Sequence, residues 1–155
     1  MGNAVNDPAG ALYEIEQIKQ LKARYFRFMD GKRWSDWRTC FSDDLLFYQN
    51  EDSEPTCRSG DEMVAYVSGA LAGTVTVHQG HMPEIELSGN RTAKGTWSMF
   101  DWVEFENDPS RSLQGYGHYI EEYEKGTDGH WRIKTLRLTR IRVDGAPQRK
   151  NLGNS

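Results

Sequence analysis

Two long β-strands joined by a tight turn constrain this sequence more than any other feature. Their apolar residues recur at every second position, which is the spacing of a strand with one buried face. These residues are Val75, Val77, Ile85 and Leu87 before the turn at Ser88–Asn90, and Trp97, Met99, Val103 and Phe105 after it. The pattern predicts an antiparallel hairpin, from Val75 to Phe105, at the centre of a sheet.

Polar residues interrupt this alternation and mark a candidate site. Asp101 has the same parity as the apolar residues of its strand, so its carboxylate is expected on the apolar face, where a charge is costly unless paired. An arginine such as Arg137 would be a purely structural partner. His78 and His81 precede Pro83, a residue tolerated at a strand edge or a bulge. Their i, i+3 spacing places the two rings on opposite faces of a regular strand, so we predict no metal site unless a bulge reunites them.

The other segments predict helices packed on one side of a curved antiparallel sheet, an α+β fold. Residues 1–10 and 144–155 are predicted to be flexible, which leaves a single domain over residues 11–143. A long helix across the mouth of such a sheet leaves a cone that can hold a small molecule. Three helices are expected: one over Ala11–Met29 that ends at Gly31, one capped by Ser35 that runs through Cys40, and one over Asp61–Leu71 capped by Ser59 or Asp61. Besides the central hairpin, strands are expected over Leu45–Gln49, Leu113–Glu124 and Trp131–Val143. A turn at Gly126–Gly129 joins the last two strands.

Composition restricts the partners. The chain has 155 residues and a net charge of −4 with no basic run, which argues against a nucleic-acid surface. Five Trp, seven Tyr and six Phe favour an apolar or aromatic small molecule as the substrate. Without an apolar N-terminal run, neither a signal peptide nor membrane insertion is expected. Cys40 and Cys57 lack metal-binding spacing and are expected as free thiols in the cytoplasm.

Four segments, in this order and spacing, carry a family resemblance: KARYFRFMDGKRWSDW, VHQGHMPEIEL, GTWSMFDW and GHYIEEYEKGTDGHWRIKTLRL. Together they resemble the SnoaL-like branch of the nuclear transport factor 2-like superfamily, over about Ala11 to Val143. The resemblance implies the α+β cone, a dimer formed through the outer sheet face and catalysis without a cofactor. Enzymes of the family include scytalone dehydratase, bile acid 7α-dehydratase and hexachlorocyclohexane dehydrochlorinase, while many relatives only bind ligands or partners.

The resemblance also implies roles for particular residues. Asp30 matches an aspartate that the dehydrochlorinase and the bile acid dehydratase keep at the end of the first helix, and His78 matches their proton-abstracting histidine. Tyr25 matches a tyrosine of the bile acid dehydratase, where the dehydrochlorinase has a lysine. Asp101 resembles the dehydratase's second acid, and Tyr48 resembles a further dehydratase tyrosine. Because dehydratase-like positions outnumber the others, the resemblance implies elimination of water rather than of halide.

The chemistry of this set is consistent without the family. A histidine can act as base and acid near neutral pH, and an aspartate bonded to its far nitrogen fixes its tautomer. Without a nucleophile, such a pair would remove a proton beside a carbonyl or an activated carbon. Further candidates for substrate contact, each equally explained as an ordinary core or surface residue, are His81, Trp97, Met99, Tyr116 and His118.

The sequence therefore predicts a cofactor-independent dehydratase acting on a hydroxylated, largely apolar ring compound such as a steroid or aromatic molecule. A binding module without catalysis is the alternative from another class. An isomerase, a retro-aldol lyase or a dehydrohalogenase would begin with the same proton transfer. Apolar residues expected on the outer sheet face, namely Phe100, Trp102, Leu136 and Leu138, predict a homodimer.

Overall fold

The computed structural model describes residues 7–51 and 54–145. Three helices precede most of a five-stranded sheet, and a short 3₁₀ helix lies at Pro109–Arg111. The helices are α1 (Pro8–Asp30), α2 (Trp34–Arg38) and α3 (Gly60–Ala70), and the strands are β1 (Phe41–Gln49), β2 (Thr74–Leu87), β3 (Thr92–Phe105), β4 (Leu113–Lys125) and β5 (Trp131–Gly145).

The strands lie in the order β1-β5-β4-β3-β2, with β1 parallel to β5 and every other pair antiparallel. The predicted α+β class is confirmed, since the helices cover one face of a curved, unclosed sheet. The central hairpin is also present, although β2 forms an edge of the sheet. Helix α1 packs chiefly on β2, which brings its C-terminal end to that edge.

Helix α1 begins earlier and ends differently than the sequence pattern suggested. The side chain of Asp7 accepts a hydrogen bond from the Gly10 amide at 3.0 Å, and Pro8 occupies the first turn, so residues 8–10 are helical rather than flexible. At the other end Gly31 has φ −77°, and Lys32 takes the left-handed conformation with φ 55°. The remaining predicted flexible residues, 1–6 and 146–155, lie outside the described part of the chain, while β5 itself continues to Gly145.

A β-bulge in β2 reverses the expected orientation of its first half. The register with β3 shifts between His81 and Glu84, and Met82 has φ 38°. Residues before the bulge face the core at even positions, whereas Ile85 and Leu87 pack on the core after it. Val75 and Val77 therefore lie on the outer face, contrary to the predicted pattern, because the extra residue exchanges the two faces.

Two similar irregularities in β5 change the expected outer face. The pairing with β4 skips Lys134 and Ile141, so Leu136 and Leu138 face the core instead of the exterior. The outer face nevertheless carries other apolar side chains. The Phe100 and Tyr116 rings are 5.5 Å apart on it, and Val75 is 45 % exposed.

Smaller corrections concern the two short helices. Ser35 lies inside α2, which has no side-chain cap, whereas Ser59 caps α3 by accepting a hydrogen bond from the Glu62 amide at 3.1 Å. The core lies between the helices and the inner sheet face. It is strongly aromatic, and its largest buried members include Trp37, Phe41 and Tyr123.

Candidate active site

The end of α1 and the edge strand β2 bring Asp30 and His78 together. The Nδ1 atom of His78 lies 2.7 Å from Oδ1 of Asp30, and the His78 backbone amide donates to Oδ2 at 2.9 Å. The His78 side chain is 8 % exposed and that of Asp30 is 24 % exposed. The contact expected between these two residues is therefore present, with Asp30 at the rim and the imidazole inside. With its carboxylate partner at Nδ1, the neutral ring carries its hydrogen there and leaves Nε2 as the acceptor.

Two further side chains fix the position of the Asp30 carboxylate. The Thr76 hydroxyl donates to Oδ1 of Asp30 at 2.9 Å, and Lys32 Nζ donates to the same hydroxyl oxygen at 2.8 Å. Burial lowers the pKa of Lys32, and the nearby charge of Asp30 opposes that effect. The two carboxylate oxygens thus accept three hydrogen bonds from named donors, counting the ring of His78.

Asp101 faces the interior as its parity predicted, but its partner is Arg140 rather than Arg137. The guanidinium donates to the two carboxylate oxygens at 2.9 and 2.6 Å, a bidentate arrangement. The Asp101 side chain is 4 % exposed and the Arg140 side chain 23 % exposed. Arg140 has the same inward parity as Leu136 and Leu138, which the irregularity at Lys134 sets, and this is why sequence parity did not identify it.

Gly115 makes this ion pair possible. It lies directly beside Asp101 in the pairing of β3 with β4, and Arg140 reaches the carboxylate across it. A Cβ atom at position 115 would overlap both the Arg140 guanidinium and the Asp101 carboxylate. The absence of a side chain on this stretch of β4 is thus a requirement of the pair.

His78 and Asp101 are direct neighbours across β2 and β3. Both side chains point to the inner face, where cross-strand Cβ atoms are about 4.5–5.5 Å apart. One compact region therefore contains an Asp–His pair and an Asp–Arg pair on adjacent strands. The first pair can move a proton, and the second presents fixed charge beside it.

Tyr25 lies in the core near this region, 3 % exposed. Burial raises its pKa well above the ordinary value, with the neighbouring Tyr119 and Glu121 acting in the same direction, so the phenol keeps its proton. The ammonium of Lys22 lies 3.9 Å from the ring centroid of Tyr25 and 3.9 Å from that of Tyr119.

The Lys22 ammonium is neutralised by an ion pair with Glu121, in which both side chains are at most 1 % exposed. Burial lowers the pKa of Lys22, while the charge of Glu121 opposes this shift. Glu121 also accepts a hydrogen bond from the Tyr123 hydroxyl, and that hydroxyl accepts one from Trp97 Nε1 at 2.8 Å. Trp97 and Met99, both predicted to contact substrate, are buried core residues at 6 % and 4 % exposure.

Four predicted substrate contacts lie on the outer face instead. Tyr48 stacks under the Arg137 guanidinium at 4.0 Å, on the side of the sheet opposite to the core residue Phe47. His81 is exposed because it follows His78 by an odd number of residues. Tyr116 and His118 alternate on β4 with the inward-facing residues, so they also point away from the interior. The predicted set is therefore divided between the faces, with Tyr25, Asp30, His78, Trp97, Met99 and Asp101 inside.

Sequence reasoning missed four polar members of this interior. Lys22 shares the buried stripe of α1 with Ile18 and Tyr25, and Glu121 shares the parity of the buried β4 tyrosines. The argument that identified Asp101 would have identified both of them. Thr76 and Arg140 could not be found in this way because bulges set their orientation.

Other features of the described residues lie apart from this region. A surface cavity of about 210 Å³ lies between the end of α3 and the end of β3, and it is lined by residues outside the predicted set, such as Phe105 and Arg111. Within residues 7–51 and 54–145, no three histidine, cysteine or acidic side chains are grouped to hold a metal ion. None of the helices in these ranges has the length and hydropathy needed to span a membrane.

Comparison with known proteins places this geometry in context. The family model for the SnoaL-like domain matches residues 10–137. A protein assigned as a scytalone dehydratase, from Novosphingobium aromaticivorans, is 16 % identical with a TM-score of 0.78, over 94 % of this chain and 97 % of that one. A type 2 hexachlorocyclohexane dehydrochlorinase is 16 % identical with a TM-score of 0.76, over 89 % of this chain and 92 % of that one.

A third similar structure is not a lyase by name. It is the β subunit of a protein assigned as an aromatic-ring-hydroxylating dioxygenase, also from Novosphingobium aromaticivorans. It is 18 % identical with a TM-score of 0.68, over 84 % of this chain and 90 % of that one. At such identities these likenesses establish the fold alone.

Proposed function

Because the chain belongs to the SnoaL-like domain family, we propose that it is a dehydratase-type lyase in which His78 is the general base. The observation that carries the proposal is the 2.7 Å contact between His78 Nδ1 and Asp30 Oδ1 at the inner edge of the sheet. An isolated carboxylate at a helix C-terminus is unfavourable, since the helix dipole is negative there. Its presence is explained if it holds the imidazole and stabilises the imidazolium that forms during reaction.

The proposed reaction balances within the substrate. His78 Nε2 takes a proton from a carbon made acidic by a neighbouring carbonyl or aromatic system. The electrons of that C–H bond form a carbon–carbon double bond, and the C–O bond to the hydroxyl breaks. The proton held by the imidazolium is returned to the departing hydroxide, so water leaves and His78 is regenerated.

The surrounding groups have distinct proposed roles. The protonated Tyr25 hydroxyl donates a hydrogen bond to the oxygen on which negative charge develops. Asp101 accepts a hydrogen bond from the departing hydroxyl and so positions it beside its strand neighbour His78. Arg140 holds the Asp101 carboxylate in place, and its remaining N–H groups are available to a substrate oxygen.

The substrate class follows from the surroundings of the base. The nearby core side chains include Tyr25, Phe26, Trp97 and Met99, which favour a largely apolar ring over a charged metabolite. Two similar structures carry the names of a dehydratase and a dehydrochlorinase, and both kinds of elimination start with loss of a proton. A hydroxylated steroid or aromatic compound is therefore the proposed substrate, with halide elimination by the same base as a second possibility.

A substrate screen with two histidine variants tests this proposal. The purified protein is incubated with hydroxylated steroids and aryl compounds, and a new conjugated absorbance is followed. His78→Ala should abolish turnover, whereas His81→Ala, on the exposed outer face, should retain it. Asp30→Asn should keep the fold but present the wrong tautomer, at a cost on the order of thousands-fold in rate.

Two results would overturn the proposal. Full activity of His78→Ala on any substrate found would remove the base. Saturable binding of these compounds without conversion by the wild-type protein would instead favour a binding module, the function class that the family resemblance also allows. Because only the neutral imidazole accepts a proton, turnover should also fall in acid, which a pH–rate profile measures.

A further inference from the structure

Lys32 has a strained backbone conformation, and the turn that it makes does not require a lysine. Lys32 has φ 55°, a left-handed conformation that a residue with a side chain adopts at an energetic cost. Its position, directly after the end of α1, is where helices commonly place glycine. The only glycine nearby, Gly31, lies one residue too early and has φ −77°. A glycine at position 32 would make the same turn without strain, so local folding does not explain the lysine.

The side chain of Lys32 supplies an explanation. Its Nζ atom donates to Thr76 Oγ1 at 2.8 Å, and the Thr76 hydroxyl donates to Asp30 Oδ1 at 2.9 Å. That same carboxylate oxygen is the one that lies 2.7 Å from His78 Nδ1. An ammonium group only donates, so it directs the Thr76 proton toward Asp30 and polarises that hydroxyl. The four groups therefore form one directed chain from Lys32 to the imidazole.

This chain affects the charge balance at His78. A donor on Oδ1 withdraws electron density that would otherwise stabilise the imidazolium, and the positive charge of Lys32 acts in the same direction. Both effects favour the neutral imidazole, which is the form able to accept a proton. The other charged or titratable groups described around the Asp30–His78 pair are Asp101 on β3, its partner Arg140 on β5, and the phenols of Tyr25 on α1 and Tyr119 on β4, which are influenced by the charge of Asp30.

We propose that Lys32 is a positioning residue that acts through Thr76 on the Asp30–His78 pair and weakens the stabilisation that Asp30 gives to a protonated His78. The proposal rests on the general-base role proposed above for His78. The effect of Lys32 on His78 does not depend on turnover, however, because it concerns the protonation of the imidazole in the free protein. It can therefore be tested without a substrate.

The test follows each histidine by NMR of the ¹⁵N-labelled protein across a pH titration. Lys32→Met removes the charge, and Thr76→Val removes the connecting hydroxyl while keeping the side-chain shape. Both variants should move the His78 titration to higher pH. Lys134→Met is the matched control, since it removes the same charge from a surface ion pair with Asp44. It should leave His78 unchanged.

Two results of the titration would overturn the proposal. One is an unchanged His78 curve in Lys32→Met. The other is a shift in Lys32→Met without any shift in Thr76→Val, which would show that the effect bypasses the hydroxyl. His81, His118 and His130 serve as internal references, and their curves should coincide in all four proteins.

A second variant separates this role from a structural one. Lys32→Gly relieves the left-handed strain, so its urea midpoint should equal or exceed that of the wild type while its His78 titration moves as in Lys32→Met. Lower stability with an unmoved titration would assign Lys32 to the fold and overturn the proposal.

The activity assay distinguishes this proposal from the proposed function. If His78→Ala is inactive and Lys32→Met has the wild-type pH–rate profile, the role of Lys32 is wrong and the base is retained. If His78→Ala is active, the base is wrong, whatever the NMR titration shows. A profile of Lys32→Met displaced to higher pH, together with an inactive His78→Ala, supports both.

Discussion

Gly115→Ala should destabilise the protein by disrupting the Asp101–Arg140 pair. The added methyl group would overlap the guanidinium and the carboxylate, and no adjustment of a few tenths of an ångström relieves both contacts. The Arg140 side chain is 23 % exposed and can rotate toward water, but that of Asp101 is 4 % exposed and cannot. An uncompensated buried charge costs about 3–5 kcal/mol. The lower backbone entropy of alanine in the unfolded chain returns roughly 0.5–1 kcal/mol.

The expected net loss is therefore about 2–4 kcal/mol in the free energy of unfolding. Urea unfolding followed by far-UV circular dichroism measures it. Gly69→Ala is the control, because among the described residues no atom outside its own helix backbone and chain neighbours lies within 4 Å of a Cβ there, and it should stabilise the protein by up to about 1 kcal/mol.

A double-mutant cycle identifies the cause of the loss. In an Asp101→Leu/Arg140→Met background no charge remains to be stranded, so Gly115→Ala should cost less than about 1 kcal/mol. A Gly115→Ala protein within about 0.5 kcal/mol of the wild type would refute the reasoning. So would an equal cost in both backgrounds, since the loss would then come from the strand itself.

Three further predictions concern the core and the assembly. Lys22→Met should cost about 3–5 kcal/mol by stranding the Glu121 carboxylate, and adding Glu121→Leu should recover part of that loss; urea unfolding of both variants checks this. Burial raises the pKa values of Tyr25, Tyr119 and Tyr123, so stability is full below the ordinary tyrosine value near 10 and is lost as pH rises beyond it. Absorbance at about 295 nm should therefore show these three phenols ionising only with unfolding. The apolar side chains on the outer sheet face predict a homodimer, which a monomer in sedimentation at micromolar concentration would contradict.

Two kinds of local pattern predicted the essential features of the site. Asp101 shares the parity of a run of apolar residues, and this simple rule placed its carboxylate inside the protein. Asp30 was notable because a carboxylate at a helix C-terminus lacks a local reason. Both arguments depend only on the repeat of a regular element, which a sequence shows directly. They work as long as the element stays regular.

Where the elements become irregular, the same rules fail for a definable reason. The bulge at Met82 put Val75 and Val77 on the opposite face from the one that Ile85 and Leu87 predicted, and the irregularity at Lys134 turned Arg140 inward together with Leu136 and Leu138. A bulge inserts one residue, so the residues before it and after it follow opposite parities. Its location depends on the pairing with the neighbouring strand, which the sequence of one strand does not specify. The partner of Asp101 was therefore predicted three residues away from its true position.

The hydrogen bond from the His78 amide to Asp30 also affects how the chain meets other copies of itself. Strand β2 is an edge of the sheet, and an edge offers unpaired amides to which a foreign strand can add. Asp30 occupies the amide at His78, Pro83 has none to offer, and the bulge at Met82 breaks the straight run between them. The carboxylate proposed to orient the base thus also protects the sheet edge against aggregation. Replacing Asp30 would reopen a site for intermolecular strand addition as well as slow the proposed reaction.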